Sequence, residues 1–166
     1  MNEEHLALAR RISEALADLE RAIARAEELR GKAMHTGDDG YWDGVALNLH
    51  GFYSGVEGIL EDIPQVEDRK VPSGADWHSR LLTQMTEELP DTRPAVIATE
   101  TFRCLDEYRG FRHVVRNVYA FNLRSAHLEE LVVGLRSCHD AIKRDITAFV
   151  EFLKRLADLD DQADSH

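Results

Sequence analysis

Residues 108–122 read YRGFRHVVRNVYAFN. Set on a helical wheel at ~100° per residue, Phe111, Val114, Val115, Val118 and Phe121 fall on one side. Arg109, Arg112, His113, Arg116 and Asn117 fall on the other, with Tyr119 at its edge. The apolar side demands other helices to pack against. The polar side gathers three arginines that repel one another unless something negative lies opposite. Either the chain's own carboxylates or an anion from outside fills that role.

Outward from this stretch the same helical period continues. Leu128, Leu131, Leu135, Cys138, Ile142, Ile146, Phe149, Leu153 and Leu156 form a heptad-like seam, which predicts a last helix over 126–159. Upstream, Pro94 is placed to open the central helix, predicted over 94–121, with Asn122 ending it and Ser125 capping the next. Trp77, Leu81, Met85 and Leu89 share one face of a short helix over 76–89, and residues 64–76 read as a loop. Val45, Leu49, Phe52, Val56, Ile59 and Ile63 line a helix over 41–63. A first helix over 3–35 carries Ile12, Leu16, Leu19, Ile23 and Ala26, with Asn2 as cap and HTGDDG at 35–40 as the turn that follows. No strand alternation, internal repeat or low-complexity linker is present. The expectation is an all-α fold, an antiparallel four-helix bundle with one additional short helix. Residues 1–159 form a single helical domain and 160–166 a flexible C-terminal tail.

Gly44, Gly51, Gly55 and Gly58 fall within roughly 60° of one another on the second helix. Each costs ~1 kcal/mol against alanine, so something needs a bare backbone there. Close approach of another helix explains it, and a groove held open for a ligand or second subunit is the functional alternative.

The chain has 166 residues, enough for a real core, with a net charge of -11. That excludes a broad nucleic-acid track. The charge is uneven: residues 103–124 carry five arginines against Asp106 and Glu107, a net of +3, and the rest sums to -14. A small cationic site in a negative body suits one bound phosphate or an acidic partner patch. No apolar run is long enough to span a membrane. The first residues, MNEEHLALARR, do not resemble a secretory signal. Cys104 and Cys138 sit on apolar faces, so reduced core thiols in a cytoplasmic protein are expected.

Eight histidines raise the question of metal. None has a glutamate three residues before it, and HExxH and CxxC are absent. His50 and His78 with nearby carboxylates are the residues a metal-binding bundle enzyme would use, but the expectation is no metal and no cofactor. Walker, dinucleotide-binding and GxSxG patterns are absent too. What remains is the central helix. Arg112 and Arg116 are one turn apart and both reach a single phosphate, with Arg109 a further phosphate-binding arginine. His113 shares their face and titrates near neutral pH. Arginine with histidine is a minimal kit for metal-free RNA cleavage: the histidine moves the 2′-hydroxyl or leaving-group proton, and the arginine stabilises charge on phosphorus.

This motif resembles the signature of HEPN domains, and its closest branch looks like the HepT-like ribonuclease toxins. That signature is an arginine, a polar residue, a short spacer and a histidine, with a tyrosine just beyond in the HepT branch. Arg112, His113 and Tyr119 match the arginine, the polar position and the tyrosine, while Asn117 stands where the family has histidine. The resemblance implies an all-α dimer whose paired motifs form a cleft, a metal-independent endoribonuclease acting on RNA. It also implies a minimal (MNT-type) nucleotidyltransferase antitoxin as partner, with Tyr119 as the site of AMP modification. Arg112, His113, Arg116 and Asn117 would be the catalytic set. With Asn117 in the motif, His113 takes over proton transfer, one helical turn away. The alternative is a catalytically inactive dimeric helical binding module, of the kind that serves as the neutralising partner in a toxin–antitoxin system. The glycine stripe, Tyr53 and the Asp76-Trp77-His78 cluster match no general HEPN signature.

Overall fold

The computed structural model describes residues 2–117 and 124–166. Five helices follow in order: α1 (Asn2–Thr36), α2 (Tyr41–Val66), α3 (Trp77–Thr86), α4 (Thr99–Asn117) and α5 (Ser125–Asp164). No strand occurs among the described residues, where the sole extended pairing is an isolated bridge between Leu89 and Arg93. The fold is all-helical. α1 packs along α2 and α5, α2 also meets α3, α4 and α5, and α4 lies against α3 and α5.

The core is the sum of the apolar faces. Ile12, Leu19, Ile23 and Ala26 of α1, Leu49, Phe52, Val56 and Ile63 of α2, and Leu135, Ile142, Ile146 and Leu153 of α5 are all buried. Tyr108 and Phe111 of α4 join them, and the Tyr108 hydroxyl donates to the Leu131 carbonyl of α5 at 2.7 Å. Buried and held this way, the Tyr108 phenol has its pKa pushed well above the ordinary range.

The glycine stripe divides in two. A Cβ on Gly44 would lie 2.6 Å from Leu29 Cδ1, and one on Gly55 2.6 Å from Leu19 Cδ2, so these two admit α1 at close range. Nothing lies within 4 Å of a Cβ on Gly51 or Gly58.

Several boundaries differ from the pattern. α2 runs through Pro64 to Val66, because a proline in the last turn forfeits only its own donor and the Glu67 N–H still reaches the Ile63 carbonyl at 2.9 Å. α4 starts at Thr99, not at Pro94. The N–H groups of Val96 and Ile97 are held instead by the Met85 carbonyl at 2.8 and 3.1 Å. Asp145 of α5 then accepts from the Ala98 N–H at 3.0 Å and the Thr101 hydroxyl at 2.6 Å, which anchors the start of α4. Ser125 is the first residue of α5, preceded by Arg124, which makes no capping side-chain bond. α5 continues to Asp164, past the end of its apolar seam. The expected stop of the central helix at Asn122 lies outside the described residues.

Cys104 and Cys138 are joined as a disulfide across α4 and α5, with their Cα atoms 5.8 Å apart. This corrects the expectation of free core thiols. Both residues face the seam where the two helices pack, which brings them within bonding distance. No helix of the structure is long and apolar enough to cross a membrane.

Candidate functional site

α3 is short, and three buried side chains, Leu81, Leu82 and Met85, fix it where it meets α2 and α4. A buried ion pair holds its far end. Arg93 donates from Nε to Asp68 Oδ1 at 2.5 Å and from Nη2 to Asp68 Oδ2 at 2.8 Å, and its Nη1 reaches the Glu87 and Pro94 carbonyls. With α3 pinned at both ends of the connection, its first turn presents Trp77 and His78 to α2 and α4.

There His78 joins three helices. Its Nδ1 lies 2.6 Å from Oε2 of Glu57 on α2, and its Nε2 lies 3.4 Å from Nη1 of Arg112 on α4. The Trp77 ring covers it, with centroids 3.7 Å apart. Glu57 is only 6% exposed, so its carboxylate must be partnered to stay ionised. An ionised carboxylate only accepts hydrogen bonds. With Glu57 ionised and the ring neutral, the proton sits on Nδ1 and Nε2 accepts from Arg112 Nη1. A carboxylate fixing the tautomer of a neutral imidazole, with the second nitrogen left basic, is the arrangement of a general base.

Arg112 is half-buried, and its Nε is buried with no hydrogen-bond partner among the described residues. Arg109, one turn back, donates to Asp106 Oδ1 at 2.7 Å. Arg109, Arg112, His78, Ser79, Asp76 and Ala75 line a cavity of about 260 Å³. Asp76 at its edge pairs with Arg80 at 3.0 Å. Tyr53 is fully buried beside this cluster. Burial, then the Glu57 charge, push its phenol far above the ordinary range, and Arg109 and Arg112 oppose that only in part. Tyr53 thus stays protonated.

The sequence-predicted set is placed as follows. Arg109 and Arg112 come together on one wall of the cavity. His113, Arg116 and Asn117 continue α4 to its last described residue, and their side chains lie outside the description. Tyr119 lies outside the described residues. Glu57 and His78 were not assigned to the arginine site by motif reasoning. A signal for each exists in the sequence. Glu57 is a carboxylate set among the buried positions of α2, beside Tyr53, Val56 and Leu60. His78 belongs to an Asp-Trp-His cluster that no motif absorbed. Among the described residues, no group of three or more histidine, cysteine or carboxylate side chains could hold a metal ion.

Comparison with known families places the chain, not its single residues. A family model described as HepT-like protein matches residues 44–153, more than half of the chain. The chain belongs to the HepT-like family, within the HEPN superfamily. The matched span contains Glu57, His78, Arg112 and the whole of the motif around Asn117. No curated protein matches the chain, and no solved structure does.

Proposed function

We propose that the protein is the toxin of a toxin–antitoxin pair, a metal-independent endoribonuclease that acts as a homodimer. The observation that carries the reading is the position of Arg112. Read as the family motif's arginine, it lines a cavity of about 260 Å³ together with Arg109 and His78. Arg112, with Arg109 and Arg116, binds and polarises the phosphate. His113 moves a proton within the motif, Asn117 hydrogen-bonds the scissile group, and Tyr119 is the point of control, open to modification by a nucleotidyltransferase antitoxin. Two copies of an antiparallel bundle meeting along α4 would double the local positive field in an otherwise acidic body. The place of action is the cytoplasm, where RNA is met. The Cys104–Cys138 crosslink is the feature that the reducing thiol pool of that compartment opposes.

Asn117 in the family's histidine position favours a second reading, an inactive dimeric binding module that neutralises a toxin. Expression of the chain alone separates the two. The toxin reading expects growth arrest and fragmented cellular RNA, both lost in Arg112→Ala while the purified variant still folds and self-associates. Normal growth with intact RNA in the wild type selects the binding module.

A further inference from the structure

We infer that His78, oriented by Glu57, is the base that takes the 2′-hydroxyl proton at the Arg112 site. The inference rests on the ribonuclease reading above and supplies what the motif lacks at Asn117. His78 comes from α3, outside the motif, and reaches it only through folding. Its Nδ1 is committed to Glu57 at 2.6 Å, so Nε2 is the nitrogen that faces the cavity and Arg112. Glu57 is a positioning residue: its contact at Nδ1 sets the ring's orientation and turns Nε2 to the cavity.

At 3.4 Å the Arg112 contact is long, and phosphate oxygens attract a guanidinium more strongly than a neutral ring nitrogen does. Binding of a phosphodiester therefore draws Arg112 away and leaves the Nε2 lone pair beside the bound phosphate. Nε2 then accepts the 2′-hydroxyl proton. The 2′-oxygen forms a bond to phosphorus, and the bond from phosphorus to the 5′-oxygen breaks. The departing 5′-oxygen takes a proton from solvent water. The products are a 2′,3′-cyclic phosphate and a 5′-hydroxyl, and His78 returns its proton to the solvent to reset. The charged and titratable groups facing His78 are Glu57 on α2, Arg109 and Arg112 on α4, and Asp76 at the start of α3, with Tyr53 behind Glu57.

A purely structural role for the Glu57–His78 pair would leave no trace in a pH–rate profile, so the profile is the test. The substrate is a mixed-sequence oligoribonucleotide with a fluorophore and a quencher at its ends, cut by the full-length protein. The expected result is a bell-shaped profile for the wild type and a loss of about 100-fold or more in His78→Gln, with an unchanged circular dichroism spectrum. Glu57→Gln retains more activity than His78→Gln, since the amide oxygen can still accept from Nδ1 and hold the ring in place. Cleavage by the wild type with His78→Gln within a few-fold of it overturns the inference and leaves the ribonuclease reading standing. No cleavage by any form removes both. Should His78→Gln fail to fold, histidine ¹⁵N shifts on the unaltered protein decide. A proton on Nδ1, with Nε2 titrating at the midpoint of the acidic limb, supports the assignment, and a proton on Nε2 at neutral pH overturns it.

Discussion

Arg93 is 3% exposed, yet it carries a full charge into the interior. It is tolerated because every donor has a use: Asp68 takes two, and the carbonyls of Gln84, Glu87 and Pro94 take the rest. Gln84 adds a further bond to Asp68 at 2.6 Å. Removing one partner strands the other. Arg93→Ala is expected to lower the unfolding free energy by about 3–5 kcal/mol, read from urea denaturation. Arg93→Met combined with Asp68→Leu restores most of that loss, because an apolar pair needs no compensation. A single variant within about 1 kcal/mol of wild type would show that water reaches Asp68 and that the pair does not pin α3. The same contrast between single side chains and their partners sets what was legible at the candidate site. Arg109 and Arg112 share a face by helical spacing alone, so the wheel places them correctly. The approach of His78 to Arg112 spans 34 residues, and the Glu57–His78 bond spans 21. No local period encodes either, and only the packing of α3 brings them together.

Along a single element, spacing reports which residues share a side but not what covers it. α2 shows this in its glycines. Their common face was legible, and the division of labour within it was not, since that depends on where α1 crosses. Gly51→Ala is expected to stabilise the protein by about 0.5–1 kcal/mol, the usual gain from alanine within a helix that has room for it. Gly55→Ala should gain less or lose stability, because Leu19, itself buried, must move from its present position 2.6 Å away. Urea unfolding of both variants at low protein concentration, where self-association does not enter, checks the order. Equal gains would mean that α1 yields freely at Leu19. The start of α4 was misplaced for a similar reason. Pro94 is a sound first helical residue in isolation, but the Met85 carbonyl and Asp145 hold the next four residues in an irregular connection. Asp145 lies 47 residues downstream of Ala98, beyond any sequence window.

Across the whole molecule, the net charge of -11 makes stability a matter of where each carboxylate sits. Two glutamates behave oppositely. Glu20 on α1 accepts from Arg136 of α5 at 3.1 Å, and that hydrogen bond holds its carboxyl below the ordinary value of 4.5. A lowered folded-state pKa means stability that is present above the unfolded value and lost as pH falls through the folded one. Glu67, at the end of α2, is shifted up by burial, which the nearby His5 at 3.3 Å offsets only in part. Its contribution runs the other way: it is present below the unfolded value and lost as pH rises through the folded one. At neutral pH, Glu20 therefore helps the fold and Glu67 strains it. Glu20→Gln should be less stable than wild type near pH 7 by about 0.2–1 kcal/mol, the range for an exposed pair, with the difference fading as pH falls below the ordinary carboxyl value of 4.5. Glu67→Gln should be more stable than wild type near pH 7, and that difference also should fade towards pH 4, where the wild-type side chain is itself neutral. Urea unfolding at both pH values, on both variants, measures the two trends. If Glu67→Gln is the less stable protein at pH 7, the His5 contact outweighs the burial cost, and the end of α2 is held by an ion pair.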